Sequence, residues 1–94
     1  MIFEVRDASR RLIRLTENQY SHIMSEHPEM TNKLEKVKDV LIRPNQTIHS
    51  PQDQNVRYYF RYYKDSKAFL IVVVKYLNGD GFVITAFMAT RVVV

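Results

Sequence analysis

Ala68-Phe69-Leu70-Ile71-Val72-Val73-Val74-Lys75-Tyr76-Leu77 is the stretch on which the fold turns. It is almost entirely apolar and rich in β-branched residues, so it reads as a strand buried on both faces, the centre of a sheet. Its apolar run is far too short to span a bilayer. Asn78-Gly79-Asp80-Gly81 follows and is the strongest turn signal in the chain. Residues 82–89 then read as the antiparallel partner. Upstream, Lys64-Asp65-Ser66-Lys67 reads as a second turn, and residues 56–63 as an aromatic, basic strand. The C-terminal part is therefore an antiparallel meander.

Further outward the periodicity changes. Thr16-Glu17-Asn18-Gln19 is a capping-box pattern, with Thr16 as N-cap and Gln19 three residues later. Tyr20, Ile23, Met24 and His27 then recur at the spacing of one helical face. Pro28 disfavours a helical conformation at His27, so the helix should stop there. A second helix is expected over residues 32–42, with Thr31 as N-cap and Leu34, Val37, Val40 and Leu41 as its apolar stripe. Pro44-Asn45 ends it. Residues 46–50 suggest a short strand before the loop Pro51-Gln52-Asp53-Gln54-Asn55. Residues 1–6 and 11–15 read as a hairpin about Asp7-Ala8-Ser9-Arg10. The expectation is one α+β domain over residues 1–94: two helices on one face of an antiparallel sheet of about four strands, with an extra N-terminal hairpin.

With 94 residues and 46% hydrophobic content, the chain can bury a modest core. The net charge of +4 favours an anionic partner, most simply a nucleic-acid backbone, although a basic balance also serves plain solubility. The absence of cysteine excludes a disulfide framework, a thiol nucleophile and thiolate zinc sites. Met1-Ile2-Phe3-Glu4-Val5-Arg6 lacks the layout of a signal peptide, so a soluble, cytoplasmic chain without a membrane partner is expected.

Chemistry is concentrated in His22-Ile23-Met24-Ser25-Glu26-His27-Pro28-Glu29-Met30, which holds two of the three histidines. Histidine titrates near neutrality and is the usual proton carrier in metal-free hydrolysis. The spacing does not suit a metal: His22 and His27 are five apart and point roughly 140° away from each other on a helix, and His49 and Asp53 are isolated in sequence. No metal or other cofactor is expected. The wheel places His27 in the apolar face and His22 almost opposite, beside Glu26. Glu29 could orient a neighbouring histidine or raise its basicity.

Two further sets of residues interrupt the strands. Arg57, Tyr59, Arg61 and Tyr63 share one face of their strand, a surface able to pair with phosphates and stack on bases, or else an ordinary solvated sheet face. Lys75 and Thr85 break two apolar strands. A three-residue loop Gly79-Asp80-Gly81 would set them directly opposite each other; a two-residue loop Gly79-Asp80 would pair Lys75 with Ile84 instead.

His22-Ile23 with His27-Pro28-Glu29-Met30, a helix ending at Pro44, then Tyr58-Tyr59-Phe60, Val72-Val73-Val74-Lys75 and Val83-Ile84-Thr85-Ala86-Phe87 together resemble the phage and prophage nuclease-like domains of the barnase–EndoU–colicin–RelE superfamily of metal-independent ribonucleases. The resemblance covers about residues 16 to 89. It implies a ribonuclease fold in which a helix-borne histidine, a basic strand residue and a Ser or Thr on a later strand act together. The matching positions are His22 and His27, Lys75 and Thr85, with Arg61 a second basic candidate. The implied activity is RNA cleavage by 2′-hydroxyl attack: His27 or His22 as base or acid, Lys75 aided by Arg61 stabilising the phosphate, Thr85 positioning a phosphate oxygen. Arg57, Tyr59 and Arg61 would hold the RNA, with Tyr59 stacking a base. The rival expectations are a non-catalytic RNA- or protein-binding module, and a toxin-like subunit neutralised by an acidic inhibitor or antitoxin. Arg91-Val92-Val93-Val94 would extend the last strand or pair with a second copy, so monomer and homodimer both remain open.

Overall fold

The computed structural model describes residues 1–92. Its elements run in the order β1 (Phe3–Arg6), β2 (Leu12–Leu15), α1 (Glu17–Glu26), a 3₁₀ turn (Pro28–Met30), α2 (Leu34–Ile42), β3 (Gln46–His49), β4 (Val56–Tyr63), β5 (Ala68–Leu77) and β6 (Asp80–Ala89). The strands form one sheet of six in the order β1-β2-β6-β5-β4-β3. The expected α+β class holds, but the strand count and the wholly antiparallel pattern do not. The N-terminal hairpin joins the sheet, and β2 runs parallel to the start of β6 through Ile13↔Gly81 and Arg14↔Phe82.

That junction depends on a missing side chain. A Cβ at Gly81 would lie 2.9 Å from Val74 Cγ1 and 3.0 Å from both Ile13 Cγ1 and Tyr76 Cε1. Glycine lets these three side chains close over the strand. The turn before it also differs from expectation. Asn78 (φ 55°) and Gly79 (φ 88°) both adopt positive φ and form the two-residue connection, with Leu77 opposite Asp80. Two successive positive-φ residues match the twist of a tight hairpin, which is why Asn-Gly is favoured there. Lys75 consequently lies opposite Phe82. A bulge at Ile84 then shifts the register, so that Thr85 faces Val73 rather than Lys75.

Both helices cover one face of the sheet. Ile23 of α1, Met30, and Val37, Val40 and Leu41 of α2 pack on Leu70, Val72 and Val74 of β5 and on Val83 and Ala86 of β6. Helix α1 starts at its expected cap: the Gln19 N–H donates to Thr16 Oγ1 at 3.3 Å. The reciprocal half of the capping box is absent, because the Gln19 side-chain amide donates to the Ile84 carbonyl at the bulge. Among the described residues β6 has no strand on its outer side beyond residues 81 and 82, and this bond covers part of the free edge. Thr31 does not cap α2. It closes the 3₁₀ turn, donating through Oγ1 to the Pro28 carbonyl at 2.8 Å, and α2 begins only at Leu34.

Among the described residues the other face carries no helix. Phe60, Ile71 and Val73 are buried there, with Ile48, Val56, Tyr58, Phe69, Ile84, Phe87, Ala89 and Val92 packed around them. Edge-to-face contacts of Phe69 with Phe60 (5.8 Å) and Tyr62 (5.2 Å) hold the layer together. Strand β6 ends at Ala89, so Arg91 and Val92 do not prolong it; Val93 and Val94 lie outside the described residues. Among the described residues no helix is long and apolar enough to cross a membrane.

Candidate functional site

Helix α1 delivers its two histidines to different surroundings. His22 stands on the exposed side, with Nε2 3.0 Å from Glu26 Oε1 one turn later. His27 sits where the helix stops. Its N–H still donates to the Ile23 carbonyl at 2.7 Å, but its backbone (φ −132°, ψ 71°) has left the helical region ahead of Pro28. The ring packs on Phe87 at 5.5 Å between centroids. Its Nδ1 lies 3.6 Å from Glu29 Oε2, within ion-pair range although too long for a hydrogen bond. The side chain is half-buried, held at the rim where the free edge of β6 meets the helix-free face.

Thr85 is two residues from Phe87 on the same strand, and its Oγ1 is buried without a hydrogen-bond partner. The register assigns it to the helix-free face, opposite Val73. Lys75 shares that face but lies further along. Phe87 pairs with Ile71, and Ile71 and Lys75 are four residues apart on β5, roughly 13 Å at the rise of a strand. Lys75 Nζ is also engaged, 2.9 Å from Asp53 Oδ2. Its ammonium, which bonds to Asp53, and the N–H of Asn55 hold that carboxyl below its ordinary range.

The arginine–tyrosine face of β4 is turned the other way. It faces the helices, not solvent, because the even-numbered aromatics Tyr58, Phe60 and Tyr62 occupy the open side. Tyr59 is 1% exposed and therefore does not present a ring for base stacking. Arg61 donates from Nη1 to the Arg43 carbonyl at 2.7 Å, closing the C-terminal end of α2. The seven candidates thus divide. His27 packs on Phe87, two residues along β6 from Thr85; Lys75 stands apart on the face of Thr85; Arg57, Tyr59 and Arg61 occupy the opposite face; and His22 stands by itself on the exposed side of α1.

Sequence reasoning passed over a second cluster altogether. The turn from Asp7 to Arg11 folds over the helix side of the sheet and carries Asp7 into the core, 5% exposed. Tyr59 Oη donates to Asp7 Oδ2 at 2.5 Å and Tyr76 Oη at 2.8 Å, and the two phenols also touch each other. Asp7 Oδ1 accepts from the Ser9 N–H (2.9 Å), Ser9 Oγ (2.7 Å) and the Arg11 N–H (2.9 Å). Burial alone would push this carboxyl up; the hydrogen bonds from Tyr59, Ser9, Tyr76 and Arg11 outweigh it and hold it below its ordinary value. Burial and the adjacent carboxylate push the Tyr59 phenol up to about 12, and burial with both neighbours raises Tyr76 as well. The available signals were Asp7 in an Asx-type turn and tyrosines at alternating strand positions, neither of which foretells a meeting across 52 residues.

No family model, curated protein or solved structure matches the chain. Among the described residues no three His, Asp or Glu side chains converge as a metal-binding group. The cavity beneath α1, lined by Leu15, Tyr20, Ile23 and Met30 among others, measures about 10 Å³ and is wholly apolar, too small for a substrate.

Proposed function

We propose that the chain is a metal-independent endoribonuclease whose proton carrier is His27. The observation that carries this is the pairing of a half-buried imidazole with the Glu29 carboxylate at the rim of an open aromatic sheet face. A carboxylate on the Nδ1 side leaves Nε2 as the nitrogen for proton exchange. Tyr58, Tyr62 and Phe69 on the same face are partly exposed, suited to stacking single-stranded bases.

In this scheme His27 takes the proton of a ribose 2′-hydroxyl. The oxygen attacks the adjacent phosphorus, the bond to the 5′-oxygen breaks, and the leaving oxygen is protonated from solvent at the exposed rim. Thr85 turns its hydroxyl toward a phosphate oxygen. His22 and Lys75 play no direct part: one stands on the exposed side of α1 with its Nε2 beside Glu26, the other is paired with Asp53. Purified protein incubated with labelled RNA in excess EDTA should cleave it and leave DNA intact. His27→Ala should abolish cleavage while His22→Ala retains it. Equal activity in the two variants would overturn the assignment.

A non-catalytic RNA- or protein-binding module is the second reading, favoured by one observation: the helix-free face is apolar and aromatic across three strands. Saturable RNA binding with no cleavage by the wild type would select it. A toxin-like role would add an acidic antitoxin on the same basic chain.

A further inference from the structure

The acidic side chains are nearly all paired, and the surplus charge of this basic chain is left on its cations. Every carboxylate other than Asp7 lies within ion-pair distance of a basic group. Among the described residues Arg11 and Arg57, like Arg6, Arg10, Lys33, Lys64, Lys67 and Arg91, have no carboxylate within ion-pair distance; their packing sets these two apart. Both pack on the ring of Tyr76, Arg11 with its guanidinium carbon 4.8 Å from the ring centre and Arg57 at 5.5 Å. His49 faces Arg57 across the β3–β4 ladder, its Nε2 3.4 Å from Arg57 Nη2. Arg57 Nε is buried and donates to nothing. The nearest acid is Asp7 beneath Tyr76, but both of its oxygens are already occupied by five donors.

Two guanidiniums therefore pack on one aromatic ring with no carboxylate partner, and one of them, Arg57, stands beside a histidine. One of them keeps a buried donor without an acceptor. Such an N–H is costly unless a ligand completes it, and the fork of a guanidinium matches the paired oxygens of a phosphate. We propose that Arg11, Arg57 and His49 form an anion site over the Tyr76 ring that takes a phosphate group. The site lies on the helix side of the sheet, five residues along β5 from the level of Phe87 and His27, roughly 16 Å away. It stands or falls independently of the ribonuclease proposal.

The test is a titration followed by NMR of the His49 imidazole and the Arg57 Nε–H, using inorganic phosphate in one series and a short single-stranded DNA, which is not cut, in another. Saturable shifts are expected with phosphate, absent with sodium chloride at matched ionic strength. Arg57→Gln should weaken phosphate binding roughly 10- to 100-fold, the loss expected for a charge-assisted pair. Arg11→Gln, on an exposed turn residue, serves should the first variant not fold. His27→Ala should bind phosphate as the wild type does, even where it has lost cleavage. Tighter binding of the oligonucleotide, lost in the same variants, assigns the site to a nucleic-acid backbone; binding of phosphate alone assigns it to the free anion. Shifts that never saturate, or that persist unchanged in both arginine variants, overturn the site.

Discussion

Replacing Asp7 by alanine should destabilise this protein more than any single change at the candidate active site. The side chain accepts two hydrogen bonds from buried phenols and three from its own turn. The turn donors belong to exposed residues and can bond to water instead, so they contribute little to the loss. The phenols cannot reach water. Hydrogen bonds to a charged acceptor are worth about 1.5–3 kcal/mol each, and the two phenols can still bond to each other after truncation, which recovers part of one. The expected cost is about 3–5 kcal/mol, a large share of the stability of a small domain. In thermal unfolding this is a Tm lower by at least about 12 °C. Acidity supplies a second check. The folded carboxyl titrates below its ordinary value of 3.8, so its stabilisation is complete above that pH and is lost as pH falls through the folded pKa. The gap between wild type and Asp7→Ala in urea unfolding should therefore be widest at neutral pH and shrink in acid. Tyr76→Phe in the Asp7→Ala background should cost less than in the wild type, because its bond to the carboxylate is already gone and only the contact with Tyr59 is left to lose. A gap under about 1 kcal/mol at neutral pH, or one that does not change between pH 7 and about pH 2, would refute the reasoning.

Alkaline titration should divide the tyrosines. Tyr59 is held protonated to about 12, and Tyr63 and Tyr76 are also raised, so their absorbance change should lag behind the other phenols. The stabilisation from Tyr59 is present below pH 10 and is lost as pH rises toward 12; a single transition of all tyrosines near 10 contradicts this. Thr85→Val keeps the shape of the side chain and removes a buried hydroxyl that has no partner. Stability to urea should rise by about 1 kcal/mol, while cleavage falls if the hydroxyl serves the phosphate. Lower stability would mean that the hydroxyl is satisfied in the folded chain.

Helix α1 shows how far local pattern reached. Thr16 as cap, the stripe of Tyr20, Ile23 and Met24, and the stop before Pro28 all depend on neighbours within a few residues, and all are found. The contrast between His22 and His27 followed from the same helical wheel. Strands β4 and β5 were legible to the residue because their apolar, β-branched and aromatic runs are bounded by turn residues. Where a choice depended on energies differing by one backbone dihedral, local pattern was insufficient. Asn78-Gly79 and Gly79-Asp80-Gly81 are overlapping turns in one tetrapeptide, and the two positive φ angles select the shorter connection and set Lys75 opposite Phe82.

Alternation along β4 determined that Arg57, Tyr59, Arg61 and Tyr63 share a face, and composition determined a basic chain without thiol chemistry. Which face the helices would cover was decided only in three dimensions, since the period of a strand separates two sides without labelling either as inside. The same holds for the bulge that moves Thr85 to Val73, for the parallel contact between β2 and β6, and for Asp7. A carboxylate in a turn is ordinary in sequence; it becomes a buried anchor because long-range packing brings two tyrosines to it and shuts out water.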